Sequence, residues 1–450
     1  MSQPPPSPRL APEAERAITN KVSRRIIPCI LVGSLVAYVD RVNIGYAQLG
    51  MGAELGITAA SYGLAAAIFF VAYFIFEVPS NILLARFGSR RWFARIMVSW
   101  GIVTVLTGFV HSTEWLYVAR FALGLAEAGF FPGAVLYITK WYRAQDRARP
   151  LSYLVIAQPA AYLIGGATAG TILDHVHWLG QSPWRWIFFL SGIPAVAVGL
   201  VILKFLPERP ADATWLDDTS RAWLVDAVGG EGVSEARRHG VRAQLAAFRN
   251  RRTFVLCAIE FVFSVGFYGF TLFVPLIIKQ INPTYSATHI GFEAAIPYLC
   301  GMIGLMTLPR LGSTPGRLRY LGTGLSLFGT IGILGVILLR EQPTPALISL
   351  SLAALVSFPF ISVLWAIITH SLPKKHATVA FAAINSVGAL AGFVGPYLVG
   401  QGSSGSTVTS GLLTPAIAML LCTIFTAAFR IKNPEALAES TSQPSRTVST

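Results

Sequence analysis

Five charged side chains stand in stretches that are otherwise apolar: Asp40 and Arg41 in LVAYVDRVNIG, Glu77 in FIFEVPS, and Arg120 and Glu127 in ARFALGLAEAG. A charge at the centre of a bilayer costs about 2.5–3.5 kcal/mol even on the most lenient insertion scale, so each needs a use. Two chemistries are open to such a set. An arginine keeps its charge, and its planar fork matches a carboxylate in a way that lysine does not. A buried carboxylate can take up and release a proton. Together they make an anion site with its own proton acceptors. The plainer alternative is a buried ion network that only holds helices together, although packing alone rarely gathers four ionisable groups at one depth.

Helix geometry limits who can pair with whom. At 1.5 Å per residue, Asp40 and Arg41 lie roughly 5–7 Å outside the midplane of their span, Glu127 near it and Arg120 roughly 10 Å further out. Glu77 lies roughly 6 Å on the inner side, suited to a cytoplasmic gate. Asp40 and Arg41 are sequence neighbours pointing about 100° apart. Arg120 and Glu127 are two turns, roughly 10.5 Å, apart on one face. Partners must come from another helix, from water or from a ligand, and pairing the first span with the fourth is the simplest solution. Around Glu127 the residues are small (Gly124, Ala126, Ala128, Gly129, Gly133), which lets helices approach closely, and Pro132 interrupts the hydrogen-bond ladder. Tyr38, Tyr73, Gln158 and Asn385 fall near the same level; each alone reads more simply as packing.

The elements that position these residues follow from hydropathy. Apolar residues make up 54% of the 450, charged ones 12%, about half the soluble norm, and the mean hydropathy is +0.59. Twelve runs are long enough to cross a 30 Å core: 26–47, 61–84, 96–112, 115–138, 151–173, 185–206, 254–278, 290–309, 320–339, 346–370, 377–400 and 409–430. The polar segment 207–252 parts six from six, the hydropathy of a two-bundle transporter with internal repeats. The expected fold is thus an all-α membrane protein of twelve transmembrane helices in two six-helix bundles, 26–206 and 253–432. Segments 1–25 and 433–450 read as disordered cytoplasmic tails.

Of the 35 Lys and Arg, 30 fall on one side if the N-terminus is cytoplasmic; only Arg185, Lys279 and Arg340 fall on the other, with Arg41 and Arg120 inside spans. That bias puts both termini and the 207–252 segment in the cytoplasm. The net charge of +14 therefore belongs to loops and not to a nucleic-acid face. The four cysteines lie in apolar runs with no CxxC pair, His175 and His177 are a weak metal signal in an external loop, and no nucleotide loop or nucleophile constellation is legible. No cofactor, metal, nucleic-acid partner or enzymatic activity is expected. The apolar run from Ile26 is too long, and lacks the cleavage site, for a removable signal peptide.

The residues now show a resemblance. Tyr38-Val39-Asp40-Arg41-Val42-Asn43-Ile44-Gly45, Phe76-Glu77-Val78-Pro79-Ser80-Asn81, the run Arg120 to Pro132, Trp184-Arg185-Trp186-Ile187-Phe188, and Ile384-Asn385-Ser386 with Gly392-Phe393-Val394-Gly395-Pro396 resemble signatures of the anion:cation symporter family within the major facilitator superfamily. The nearest branch is similar to bacterial tartrate, phthalate and hydroxyphenylacetate permeases. The resemblance covers about 20–432 and implies the major facilitator fold in a bacterial inner membrane, with proton-driven uptake of a small organic anion. It implies Arg41 as substrate-binding arginine, Asp40 and Glu127 as the protonatable pair, Arg120 as coupling arginine, and Tyr38, Tyr73, Gln158 and Asn385, with Ser362 and Trp365, as substrate-lining positions. Protons, the anion and the bilayer are then the partners of a monomer. An uncoupled anion facilitator, or a transporter-like substrate sensor that kept the fold and lost transport, are the alternatives. One departure stands out. The superfamily's Gly-x-x-x-Asp-Arg-x-Gly-Arg-Arg loop has Ala85 in place of its acid, and the equivalent loop at Gly316, Arg317 and Arg319 has no acid at all, which puts the usual cytoplasmic lock in doubt.

Overall fold

The computed structural model describes residues 10–229, 250–372, 374–403 and 408–431. Among these there is no β-strand, as expected where no water reaches the backbone and every N–H and C=O must be satisfied within its own helix. The first half builds α1 (Pro12–Leu55), α2 (Ala59–Phe87), α3 (Ser89–Thr107), α4 (Thr113–Glu127), α5 (Phe130–Thr139), α6 (Ala148–His175), α7 (Pro183–Phe205) and α8 (Asp218–Gly229). The second half builds α9 (Arg251–Thr271), α10 (Val274–Ile281), α11 (Ala287–Thr307), α12 (Pro315–Leu338), α13 (Pro343–Ser371), α14 (Lys374–Gly402) and α15 (Leu413–Ala428).

Eleven helices among the described residues are long and apolar enough to cross a membrane. The third expected span corresponds to α3, which is not among them because its first two turns carry Arg90, Arg91 and Arg95. Beyond those turns α3 buries Met97, Trp100 and Thr104 and leaves Ile102 and Leu106 exposed, as a span would. Two spans are broken. The fourth is split into α4 and α5 at Ala128 and Gly129; Pro132 has no N–H to return to the carbonyl of Ala128. The seventh is split into α9 and α10 just before Pro275, for the same reason.

The N-terminal segment corrects the expectation of a disordered tail over 1–25. Residues 1–9 lie outside the described residues, but Pro12 opens α1 and residues 12–25 are its first turns. Proline is pre-shaped for that position, and Glu13 and Glu15 suit the positive end of a helix. Arg143 fixes the segment by pairing with Glu15 at 2.8 Å, Tyr142 donates to Ser23 Oγ at 3.0 Å, and Ile18 and Val22 are buried. The 207–252 segment contains α8, whose Trp223 ring lies under the Arg143 guanidinium. Residues 230–249 and the expected tail 433–450 lie outside the described residues.

The chain divides into two compact units, 1–238 with 285–295, and 239–284 with 296–450. The first turns of α11 thus group with the first unit, a difference from the boundaries read from hydropathy. They are held there by Asp174 at the end of α6, which accepts from the backbone N–H of Ala287 at 3.2 Å and of Thr288 at 2.6 Å.

Candidate functional site

The first unit brings Asp40, Arg41, Arg120 and Glu127 together from two elements, α1 and α4, with α3 behind them. Arg41 of α1 donates through Nε to Glu127 Oε1 of α4 at 2.9 Å, and its Nη2 meets the same oxygen. The pair is the inter-helix one that helix geometry requires. Glu127 is buried, and Arg41 keeps 12% of its side-chain surface. The other carboxylate oxygen of Glu127, Oε2, is buried without a hydrogen-bond donor among the described residues.

Glu127 ends α4, and the chain geometry behind it is demanding. Gly129 has φ +86°, a region that side chains with a Cβ avoid. A Cβ there would also sit 2.5 Å from Ser80 Oγ, and Ser80 is engaged by the indole N–H of Trp92 at 3.0 Å. A Cβ on Gly124, one turn before Glu127, would strike the backbone of Phe69. The two glycines let α4 lie against α2 with its last turn carrying Glu127 toward Arg41.

Asp40 turns the other way on α1. It accepts from Thr104 Oγ1 of α3 at 3.1 Å. The charges of Glu127, Arg120 and Arg41 all act on it, yet among the described residues none of the arginines reaches it within 4.0 Å. Arg120 is buried, donates to the carbonyl of Ala65 at 3.3 Å and lies 4.9 Å from the centre of the Phe69 ring.

Aromatic rings enclose Arg41. Its guanidinium carbon lies 5.3 Å from the Tyr38 ring, 5.4 Å from Phe69 and 5.3 Å from Tyr73, a distance at which ring and cation attract. Tyr162 meets Tyr38 edge-on at 6.4 Å and takes a hydrogen bond from Gln158 at 3.3 Å. Of the residues named from sequence, Tyr38, Asp40, Arg41, Tyr73, Arg120, Glu127 and Gln158 gather in this unit. Ser362, Trp365 and Asn385 belong to the second unit, where Trp365 and Asn385 lie on α13 and α14 and the Trp365 ring stacks on Phe381 at 5.5 Å. The sequence reading missed Phe69, Thr104 and Tyr162. Phe69 stands four residues before Tyr73 and Tyr162 four after Gln158, so each shares a helix face with a residue already singled out; Thr104 carried no such signal.

At the turn between α2 and α3, the acid absent at Ala85 is supplied from elsewhere. Glu208, just after α7, accepts from the backbone N–H of Ser89 at 2.6 Å and of Arg90 at 2.9 Å, and Lys140 stands 4.0 Å from it.

Comparison with known proteins agrees with this architecture. The family model described as Major Facilitator Superfamily matches residues 30–396. A putative tartrate transporter of Agrobacterium vitis is 35% identical, covering 94% of each chain. A quinolone resistance transporter of Acinetobacter baumannii is 36% identical over 92% of this chain and 94% of that one. Among solved structures, a bacterial homologue of the human lysosomal transporter Spinster has a TM-score of 0.71 at 16% identity, covering 92% of this chain and 96% of that one. The xylose transporter XylE from E. coli also has a TM-score of 0.71, at 15% identity over 92% and 99%.

Proposed function

The chain belongs to the major facilitator superfamily of multi-pass membrane transporters, and on that premise we propose that it imports a small organic anion together with protons across a bacterial inner membrane. The observation that carries the reading is the arrangement of Glu127: one oxygen held by Arg41, the other buried without a protein donor. An ionised Glu127 competes with any incoming carboxylate for the Arg41 fork. Protonated at Oε2, it is neutral and holds the fork only through the weaker carbonyl Oε1. Losing one partner of a buried ion pair costs about 3–5 kcal/mol, an upper bound here because the rings around Arg41 still hold it, and an arriving carboxylate restores the pair. Proton and anion then favour each other by up to roughly two to three orders of magnitude in affinity. Asp40 stands as the second acceptor, close enough to feel both arginines and bound by neither. The relatives named as tartrate transporters support a carboxylate as cargo.

The test is uptake into proteoliposomes, screening carboxylates with and without an imposed pH gradient, beside counterflow in the same vesicles. Glu127→Gln mimics the protonated residue permanently. It is expected to exchange the anion in counterflow and to lose accumulation driven by the gradient. If it concentrates the anion as well as the parent protein, Glu127 does not carry the proton and uncoupled facilitation becomes the better account. Export is the second reading, favoured by the relative named for quinolone resistance. Reversing the gradient in the same vesicles separates the two directions.

A further inference from the structure

In the second unit, Pro315, Gly316, Arg319, Arg430 and Ile431 line a recess of about 260 Å³ at one end of α12 and α15. Among the described residues its two arginines meet no carboxylate. From Ile296 to Ile431 the sequence holds a single acid, Glu341, which pairs with Arg340 in the loop at the opposite end of α12. Arg310 and Arg317 lie in the same turn as Arg319, and none of these three, nor Arg430, meets a carboxylate among the described residues. The first unit resolves the equivalent position differently. There the first turn of α3 carries Arg90 and Arg91, and both oxygens of Glu208 sit on its backbone N–H groups with Lys140 beside them. The second unit keeps the basic turn, and among the described residues no carboxylate meets it.

We propose that this recess holds the phosphate of an anionic phospholipid, clasped by Arg319 and Arg430. Its size suits one phosphate-sized group; small-molecule pockets usually begin at about 300 Å³. The surroundings select a lipid. Arg319 lies 4.8 Å from the centre of the Tyr320 ring, which is 69% exposed, an aromatic at the level where headgroups sit. Further along the same two helices, Phe328, Ile331, Ile417 and Ile424 are exposed apolar side chains against which acyl chains can lie. Gly316 has open space where a Cβ would point, so the backbone leaves the mouth unobstructed. The inference needs only the membrane-spanning reading and is independent of what the protein carries.

Native mass spectrometry of the full chain, released from nanodiscs containing equal phosphatidylglycerol and phosphatidylcholine, tests it. The parent protein is expected to retain phosphatidylglycerol preferentially. A basic residue near an anionic surface is worth roughly a factor of five, so Arg319→Gln with Arg430→Gln should lower that preference roughly 25-fold. Arg340→Gln, at the opposite end, should leave it unchanged. Arg430 is exposed, so Arg430→Gln alone should fold normally and lose roughly five-fold. Retention equal to the parent in both variants overturns the proposal. So does displacement of the lipid by millimolar inorganic phosphate, which would make the recess a site for a free anion.

Discussion

At the scale of single residues, the site depends on the shape of a guanidinium more than on its charge. Arg41 presents Nε and Nη2 to one oxygen of Glu127 while three rings hold its plane. A lysine keeps the charge but has neither the plane nor the fork. Arg41→Lys is therefore expected to fold and insert, and to lose carboxylate affinity by at least ten-fold in a binding or counterflow assay. Affinity equal to the parent would place the anion elsewhere. Gly129 makes a different demand. Its φ of +86° costs a residue with a Cβ about 1–2 kcal/mol, before the contact with Ser80 is counted. Gly129→Ala should lower the thermal midpoint of the purified protein and displace Glu127 from Arg41; an unchanged midpoint would show that the α4–α5 break tolerates a side chain.

At the scale of elements, the sequence was legible where apolar runs and helix geometry sufficed. The twelve runs, the pairing of the first span with the fourth and the interruption at Pro132 all followed from spacing. What escaped depends on contacts distant in sequence. The early start of α1 rests on Arg143 and Tyr142, far along the chain, and no local pattern around Glu13 announces them. The carboxylate that replaces the one absent at Ala85 comes from Glu208, beyond five further helices. Thr104 looks like any threonine in an apolar helix until Asp40 is placed against it. The clasp between α6 and the first turns of α11 is of the same kind. Besides the two bonds to Asp174, Thr288 Oγ1 donates to the carbonyl of Gly170 at 3.3 Å, and Gly166 and Gly291 face each other with no room for a Cβ. Contacts this close leave nothing to slide, so a transport cycle that moves α11 has to break them. Asp174→Cys with Thr288→Cys should therefore cross-link on oxidation, arrest counterflow and recover on reduction. Undiminished counterflow in the cross-linked protein would mean that this end of α11 stays fixed to α6 throughout the cycle.

At the scale of the whole molecule, the basic residues decide orientation, and the structure sharpens the count. Thirty of the 35 lie on the side assigned to the cytoplasm. The three assigned to the other side are each engaged. Arg185 pairs with Glu54 at 2.9 Å and donates to the carbonyl of Gly108 at 2.8 Å. Arg340 pairs with Glu341 at 3.2 Å, and Lys279 donates to the carbonyl of Pro283 at 2.8 Å. Two of the three are thus ion-paired, while Arg86, Arg90, Arg91, Arg95, Arg149, Arg317, Arg319 and Arg430 have no carboxylate partner among the described residues. Basic loops resist translocation, and anionic lipids of the cytoplasmic leaflet hold them by roughly 1 kcal/mol for each charge at the surface. Inverting the molecule would carry thirty such charges across and return three. Cysteine labelling in intact cells checks the orientation, in a background with Cys29, Cys257, Cys300 and Cys422 replaced by alanine. An impermeant maleimide should label Arg340→Cys in intact cells and should label Gly230→Cys only after the membrane is opened. Labelling of Gly230→Cys in intact cells would invert the assignment, and with it the side from which the proposed cargo would reach the Arg41–Glu127 pair.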